Sequence, residues 1–201
     1  MRNAYLLLQY MFSEDKLVYT PVCYFDLKSG ILCPRCEAKL RSGEISELDI
    51  EVAKLLVNVE SKFPQLQKAS FIRAVDTGEH TIIVFGQGDL ARLNPILGEL
   101  RRVVSDKLGK PAIILENQSD PRMLIEDLLS PLRIVAMNTL WIPDGTRELH
   151  IIVSGSKRNL PISEKILHSI VEKLYGTSLR ITFEPPIEQR RGVKRRIQKT
   201  R

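Results

Sequence analysis

Apolar residues recur along this chain in two rhythms, and the same succession of rhythms occurs twice. From Ser46, the positions Leu48, Val52, Leu55, Leu56, Val59 and Phe63 fall on one face at helical spacing. Ser46 can cap the free N–H groups of that helix, Glu47 and Asp49 suit the positive end of its dipole, and Pro64 ends it. Two short apolar runs follow, ASFIRAV and HTIIVF, separated by the turn signal Asp76-Thr77-Gly78. Helical spacing then returns in Ile96, Leu97, Leu100, Val103, Val104 and Leu108, stopped by Gly109, before the strand AIILE.

The second succession opens at Asp120-Pro121, an N-cap followed by proline at the first helical position. Leu124, Ile125, Leu128 and Leu129 form its apolar face and Pro131 closes it. The runs LRIVAMNTLWI and ELHIIVS flank Pro143-Asp144-Gly145. A helix with Ile166, Leu167, Ile170, Val171 and Leu174 stops at Gly176, and LRITFE is the last strand. The order helix–strand–strand–helix–strand is thus predicted twice. The repeated sheet-forming parts lie at about 69–117 and 132–184. The fold class is α/β (α+β), each unit packing helices on one face of a small sheet. The predicted organisation is an N-terminal extension (1–20), a cysteine knuckle (21–45), a first unit (46–118), a second unit (119–184) and a basic flexible tail (185–201). Two small units in tandem suggest a binding module used twice rather than one deep catalytic pocket.

Composition changes the picture in one respect. The formal net charge of the 201 residues is +6. Residues 188–201 carry seven Lys/Arg against one acid, so the whole surplus lies there and the body is neutral. Any electrostatic footprint on the body is therefore local. No apolar run approaches the roughly 20 residues needed to cross a bilayer. The N-terminal AYLLLQYMF lacks a small-residue cleavage pattern, so neither a membrane span nor a signal peptide is expected, and the chain is read as cytoplasmic. The histidines His80, His150 and His168 are scattered, and no Ser/His/Asp set, P-loop or paired-carboxylate motif is visible. The expectation is a protein without enzymatic activity or a small-molecule substrate.

The strongest local chemistry is in the cysteines. Cys33-Pro34-Arg35-Cys36 has the two-residue spacing at which both thiolates can turn onto one ion, and Cys23 is close enough to fold back as a third ligand. Asp26, Glu37, His80 or a water could complete a structural zinc site. A disulfide or inert thiols, and a redox pair, stand as alternatives.

Certain joining segments resemble a known family. Leu108-Gly109-Lys110-Pro111 leads into AIILEN, then Ser119-Asp120-Pro121, then LIEDLLSPLRIVAM, and CPRCEAKLRSGEISELDIEVAKLL precedes the first unit. These stretches, with the helix–strand–strand–helix–strand order, resemble the archaeal NusA-like transcription factor family over about residues 21–184. The resemblance implies two tandem KH-like domains of the prokaryotic type (type II). It also implies binding to single-stranded or nascent RNA, with RNA polymerase or the ribosome as partner. KH domains grip the nucleic-acid backbone with a Gly-x-x-Gly loop ahead of the long helix. Here the matching stretches are Pro95-Ile96-Leu97-Gly98 and Ile162-Ser163-Glu164-Lys165, and neither is a Gly-x-x-Gly. Gly86-Gln87-Gly88 lies too early and reads as a turn.

The candidate RNA contacts are therefore Pro95, Ile96, Leu97, Gly98 and Lys165 by the resemblance. Lys157 and Arg158 are added by their place near the expected clamp, and Arg190, Arg191, Lys194, Arg195 and Arg196 as a phosphate-neutralising arm. For the last two groups a charged surface loop and a solubilising end are the plain alternatives. Trp141 either stacks on a base or contacts a partner protein, or packs in the core or covers its turn. Two functions are carried forward: a NusA-like elongation or termination factor, and a protein-interaction adaptor or ribosome-associated factor that kept the scaffold and lost the clamps.

Overall fold

The computed structural model describes residues 17–143 and 145–185. Two compact units divide between Gln118 and Ser119. Together they form an α/β protein with two small sheets and an N-terminal cysteine cluster.

In the first unit, α1 (Tyr24–Ser29) and α2 (Pro34–Ser42) occupy the cysteine segment. This segment is thus more helical than the loop-rich knuckle expected from its prolines and glycines. Each helix stops at a glycine in the left-handed region, Gly30 at φ 77° and Gly43 at φ 75°, where a side chain is strained. Helix α3 (Glu47–Val59) begins at Ser46 with a capping box. The Ser46 hydroxyl accepts from the Asp49 N–H, and the Asp49 carboxylate accepts from the Ser46 N–H. After a 3-10 turn at Pro64–Leu66 come β1 (Phe71–Asp76) and β2 (Thr81–Phe85). The short helix α4 (Asp89–Leu93) and a 3-10 turn at Asn94–Ile96 precede α5 (Leu97–Leu108) and β3 (Ala112–Glu116). The sheet order is β1-β2-β3, antiparallel between β1 and β2 and parallel between β2 and β3. The hairpin makes the first pairing possible with a short turn, and the helical crossover makes the second.

The core gathers Val52, Ala53, Leu56 and Val57 of α3, Leu100 and Val104 of α5, and Phe71, Ala74, Ile83, Phe85 and Ile114 of the sheet. Phe71 meets Phe85 edge to face at 6.3 Å, a geometry that suits the ring quadrupoles. The stretch leading into the cysteine segment is tied to this sheet through backbone bonds. Tyr19 donates to the Ala69 carbonyl and accepts from the Phe71 N–H, both at 2.8 Å.

The second unit repeats the order. Helix α6 (Pro121–Leu129) is capped by Asp120, whose carboxylate accepts from the Arg122 N–H at 2.9 Å. The cis peptide Ser130–Pro131 follows. Strands β4 (Ile134–Trp141) and β5 (Arg147–Ser154) pair antiparallel, and β6 (Ser178–Glu184) lies parallel to β5 after α7 (Glu164–Tyr175). A 3-10 turn at Lys157–Asn159 stands where the first unit has α4. Leu149, Ile151 and Val153 of β5 are buried in alternation. They pack with Ile125 and Leu129 of α6 and with Leu167 and Val171 of α7.

Candidate metal centre

The cysteine segment folds as two short helices whose starts carry the same chemistry. Cys23 caps α1 and Asp26 stands three residues on; Cys33 caps α2 and Cys36 stands three residues on. The spacing Cys-x-x-Asp therefore matches Cys-x-x-Cys. In each case the helical turn brings the third residue back beside the cap.

The two helix starts are crossed. The Cys33 N–H donates to the Asp26 carboxylate at 3.0 Å, and the Cys23 N–H donates to the Cys36 thiol sulfur at 3.4 Å. Each cap N–H, orphaned at its own helix start, is satisfied by the side chain of the other helix. One ligand atom from each of Cys23, Asp26, Cys33 and Cys36 then lies within 4.8 Å of all the others.

The donor set fits a structural zinc ion. At a Zn–S distance near 2.3 Å, tetrahedral thiolates stand about 3.8 Å apart. The Cys33 and Cys23 sulfurs are 4.0 Å apart and all three cysteines are free thiols. That separation is about twice a disulfide S–S bond of ~2.05 Å. Of the fourth ligands weighed from sequence, Asp26 is the one in place. Glu37 pairs with Arg41 at 2.6 Å, and His80 lies outside the cluster, between β1 and β2. The cluster is consistent with structural zinc held by three thiolates and one carboxylate.

The side chains of the cluster shift one another's acidity. The Asp26 carboxyl is held below the usual carboxylate range, first by the hydrogen bond from the Cys36 thiol and then by the Cys33 N–H. Cys36 is 1% exposed, and burial, with the Asp26 hydrogen bond, pushes its thiol up to about 12. Thiol ligands bind a divalent ion as thiolates, so metal binding here would release protons.

The other sequence candidates lie apart from this centre. Pro95 and Ile96 fall in the 3-10 turn ahead of α5, and Leu97 and Gly98 are its first two residues. Ile96 and Leu97 are half-buried against the first core. A Cβ at Gly98 would meet nothing within 4 Å, so no steric demand requires glycine there. Gly86-Gln87-Gly88 is the turn between β2 and α4, with Gly88 at φ 85°. In the second unit Lys157 and Arg158 form the 3-10 turn, both exposed, and the Lys157 ammonium pairs with Glu164 at 2.5 Å. Lys165 is exposed on the first turn of α7. Arg190, Arg191, Lys194, Arg195 and Arg196 lie outside the described residues. Trp141 is 68% exposed, and the Arg147 guanidinium sits over its ring at 4.3 Å, opposite it across β4 and β5.

Sequence reasoning missed one surface. A depression of about 580 Å³ along α5 is lined by Gly98, Arg101, Arg102, Ser105, Asp106 and Lys110, among others. Arg101 and Arg102 enter no salt bridge among the described residues, whereas Lys110 pairs with Asp76 at 2.7 Å. The spacing 98, 101, 102, 105 marks one outward helical face, a signal that the apolar periodicity of the same helix overshadowed.

No helix among the described residues is long and apolar enough to cross a membrane. No family model matches the chain, and no curated protein matches it. Among solved structures it is similar to the crystal structure of the archaeal protein APE1850. The two share 20% identity over 63% of this chain and 96% of that one, with a TM-score of 0.48.

Proposed function

We propose that this chain is an RNA-binding, NusA-like transcription elongation or termination factor without enzymatic activity. Its two units act as KH-like domains on nascent RNA, RNA polymerase or both, in the cytoplasm. The observation that carries the reading is the repeated topology. In both units a helix precedes an antiparallel hairpin, and a long helix with a glycine stop then leads to a third strand parallel to the second. That is the arrangement expected of a prokaryotic-type KH domain, and it supports the resemblance of the joining segments. Arg101 and Arg102 on α5, which enter no salt bridge among the described residues, add local positive charge to a neutral body. Zinc has a structural part here, joining the starts of the two short helices α1 and α2 beside α3.

The adaptor reading draws on a specific observation. Neither unit has the paired glycines of the clamp, and Lys157 is already neutralised by Glu164. Fluorescence anisotropy with single-stranded RNA over a salt series separates the two readings, comparing the full chain with residues 1–187. The RNA-factor reading expects the shortened chain to retain binding at physiological salt, with a shallower salt slope. Binding that vanishes with the tail supports the adaptor.

A further inference from the structure

Exposed apolar and basic side chains neighbour the metal centre in the sequence. Phe25 is 77% exposed and Ile31 74%, above every other large apolar residue among the described residues. Phe25 stands between the ligands Cys23 and Asp26, and Ile31 lies two residues before Cys33. Two cations flank the same ligands: Lys28 follows Asp26 by two residues and Arg35 immediately precedes Cys36. The four ligand atoms lie within 4.8 Å of one another, and each of these four side chains is within two residues of a ligand.

Their orientation follows from α1. Asp26 and Leu27 are buried and Tyr24 is half-buried against the first core, so Phe25 and Lys28, about 60° apart around the helix, are among its exposed side chains. The Lys28 ammonium lies 5.5 Å from the centre of the Tyr24 ring, and neither Lys28 nor Arg35 enters a salt bridge among the described residues. An exposed ring with cations nearby that enter no salt bridge among the described residues fits an unstacked base with its phosphates. Aromatic side chains stack bases and Lys/Arg track the backbone in single-strand recognition, zinc knuckles included. A purely apolar protein groove would leave these cations unmatched.

We propose that the metal-held knuckle is itself a contact for single-stranded RNA. Phe25 is the stacking platform, Ile31 packs beside the base, and Lys28 and Arg35 neutralise the flanking phosphates. This rests on the RNA-binding reading above and gives the knuckle a part that the repeated units do not supply.

The test uses the zinc-loaded full chain and a labelled single-stranded RNA oligonucleotide at low salt. Anisotropy is measured for the wild type, Phe25→Ala, Phe25→Tyr and the pair Lys28→Gln/Arg35→Gln, with zinc content measured for each. Loss of one base stack weakens binding about 5- to 100-fold in Phe25→Ala, while Phe25→Tyr stays within about twofold of wild type. The paired charge variant lowers the salt slope by about 1 to 2. Phe25→Ala that keeps its zinc and binds as wild type overturns the inference. If the shortened chain 1–187 still binds RNA in that case, the RNA-factor reading stands without it. If the wild type itself binds no RNA, both fall together.

Discussion

The backbone N–H of Cys33 donates to the carboxylate of Asp26 at 3.0 Å, while the Cys23 N–H donates to the thiol sulfur of Cys36. Each bond crosses from one short helix to the other. An ordinary capping box closes within one helix, as Ser46 and Asp49 do at the start of α3. Here only the bond to the cap N–H is made, exchanged between α1 and α2, and four ligand atoms gather around one point.

Asp26 therefore has two tasks, and one substitution separates them. Asp26→Asn keeps an acceptor for the Cys33 N–H but removes the anion. It is expected to weaken zinc binding at least about 10-fold while the fold persists. Competition with a chromophoric chelator measures the affinity, and far-ultraviolet circular dichroism reports the fold. Removing zinc with a strong chelator should lower the melting temperature of the wild-type chain. A wild-type chain with no bound zinc after reconstitution contradicts the centre.

Asp49 is the corresponding hinge in the first core. Its carboxylate is buried and accepts from the Ser46 N–H at 2.7 Å, the Ser46 hydroxyl at 2.8 Å and the Ala74 N–H on β1. It joins α3 to the sheet as well as capping the helix. Asp49→Ala leaves these donors unanswered and is expected to cost about 2–4 kcal/mol, read from the shift in urea midpoint. A loss below about 0.5 kcal/mol would mean that α3 and β1 are held by apolar packing alone.

Gly86 closes the turn after β2 for a steric reason. A Cβ there would stand 2.8 Å from the Asp89 carboxylate and 3.1 Å from the Ser70 side chain. Asp89 cannot simply swing aside, because it is buried and accepts from the Ser70 N–H at 2.7 Å. Gly86→Ala should destabilise the first unit by about 1–3 kcal/mol, measured by thermal melting. An unchanged melt would show that the turn relaxes freely.

Glu60 gives a pH signature. Burial pushes its carboxyl above the ordinary glutamate value, offset in part by the Val18 N–H and the nearby Lys28 charge. The folded chain thus keeps the proton at pH values where the unfolded chain has released it. Its stability falls as pH rises from the ordinary glutamate value to the raised one, and the penalty persists above that window. Glu60→Gln keeps an acceptor without the charge. It should match wild type near pH 4 and exceed it at pH 7, as denaturant titrations at the two pH values would show. Equal stability at pH 7 would place Glu60 in water-like surroundings.

Much of the scaffold is legible in the sequence because local signals agree with the tertiary outcome. Ser46, Asp120 and Ser163 all cap the helices that follow them, and Gly109 and Gly176 take the left-handed conformation, at φ 67° and 61°. Strands β2 and β5 declare themselves by β-branched apolar runs. Helix α4 escaped because its five residues are too short for a periodic signal. The knuckle helices escaped because their caps are cysteines, which carry no capping signal, and because six and nine residues are short for a periodic pattern. Three metal ligands were visible by spacing. Asp26 could not be separated from Glu37 and His80, since only the crossing of two helices decides which side chain returns to the thiols. The arginines of α5 were hidden by the apolar face on the other side of the same helix.

The central claim is that the folded body, and not only its basic end, meets RNA. Photo-crosslinking of the zinc-loaded full chain to a 4-thiouridine-containing single-stranded RNA, with the linked peptides mapped by mass spectrometry, tests this most directly. The account predicts crosslinks within residues 21–184, including the knuckle around Phe25 and the outward face of α5. Crosslinks confined to residues 185–201, or none, would contradict it and leave the two units as a scaffold for protein partners.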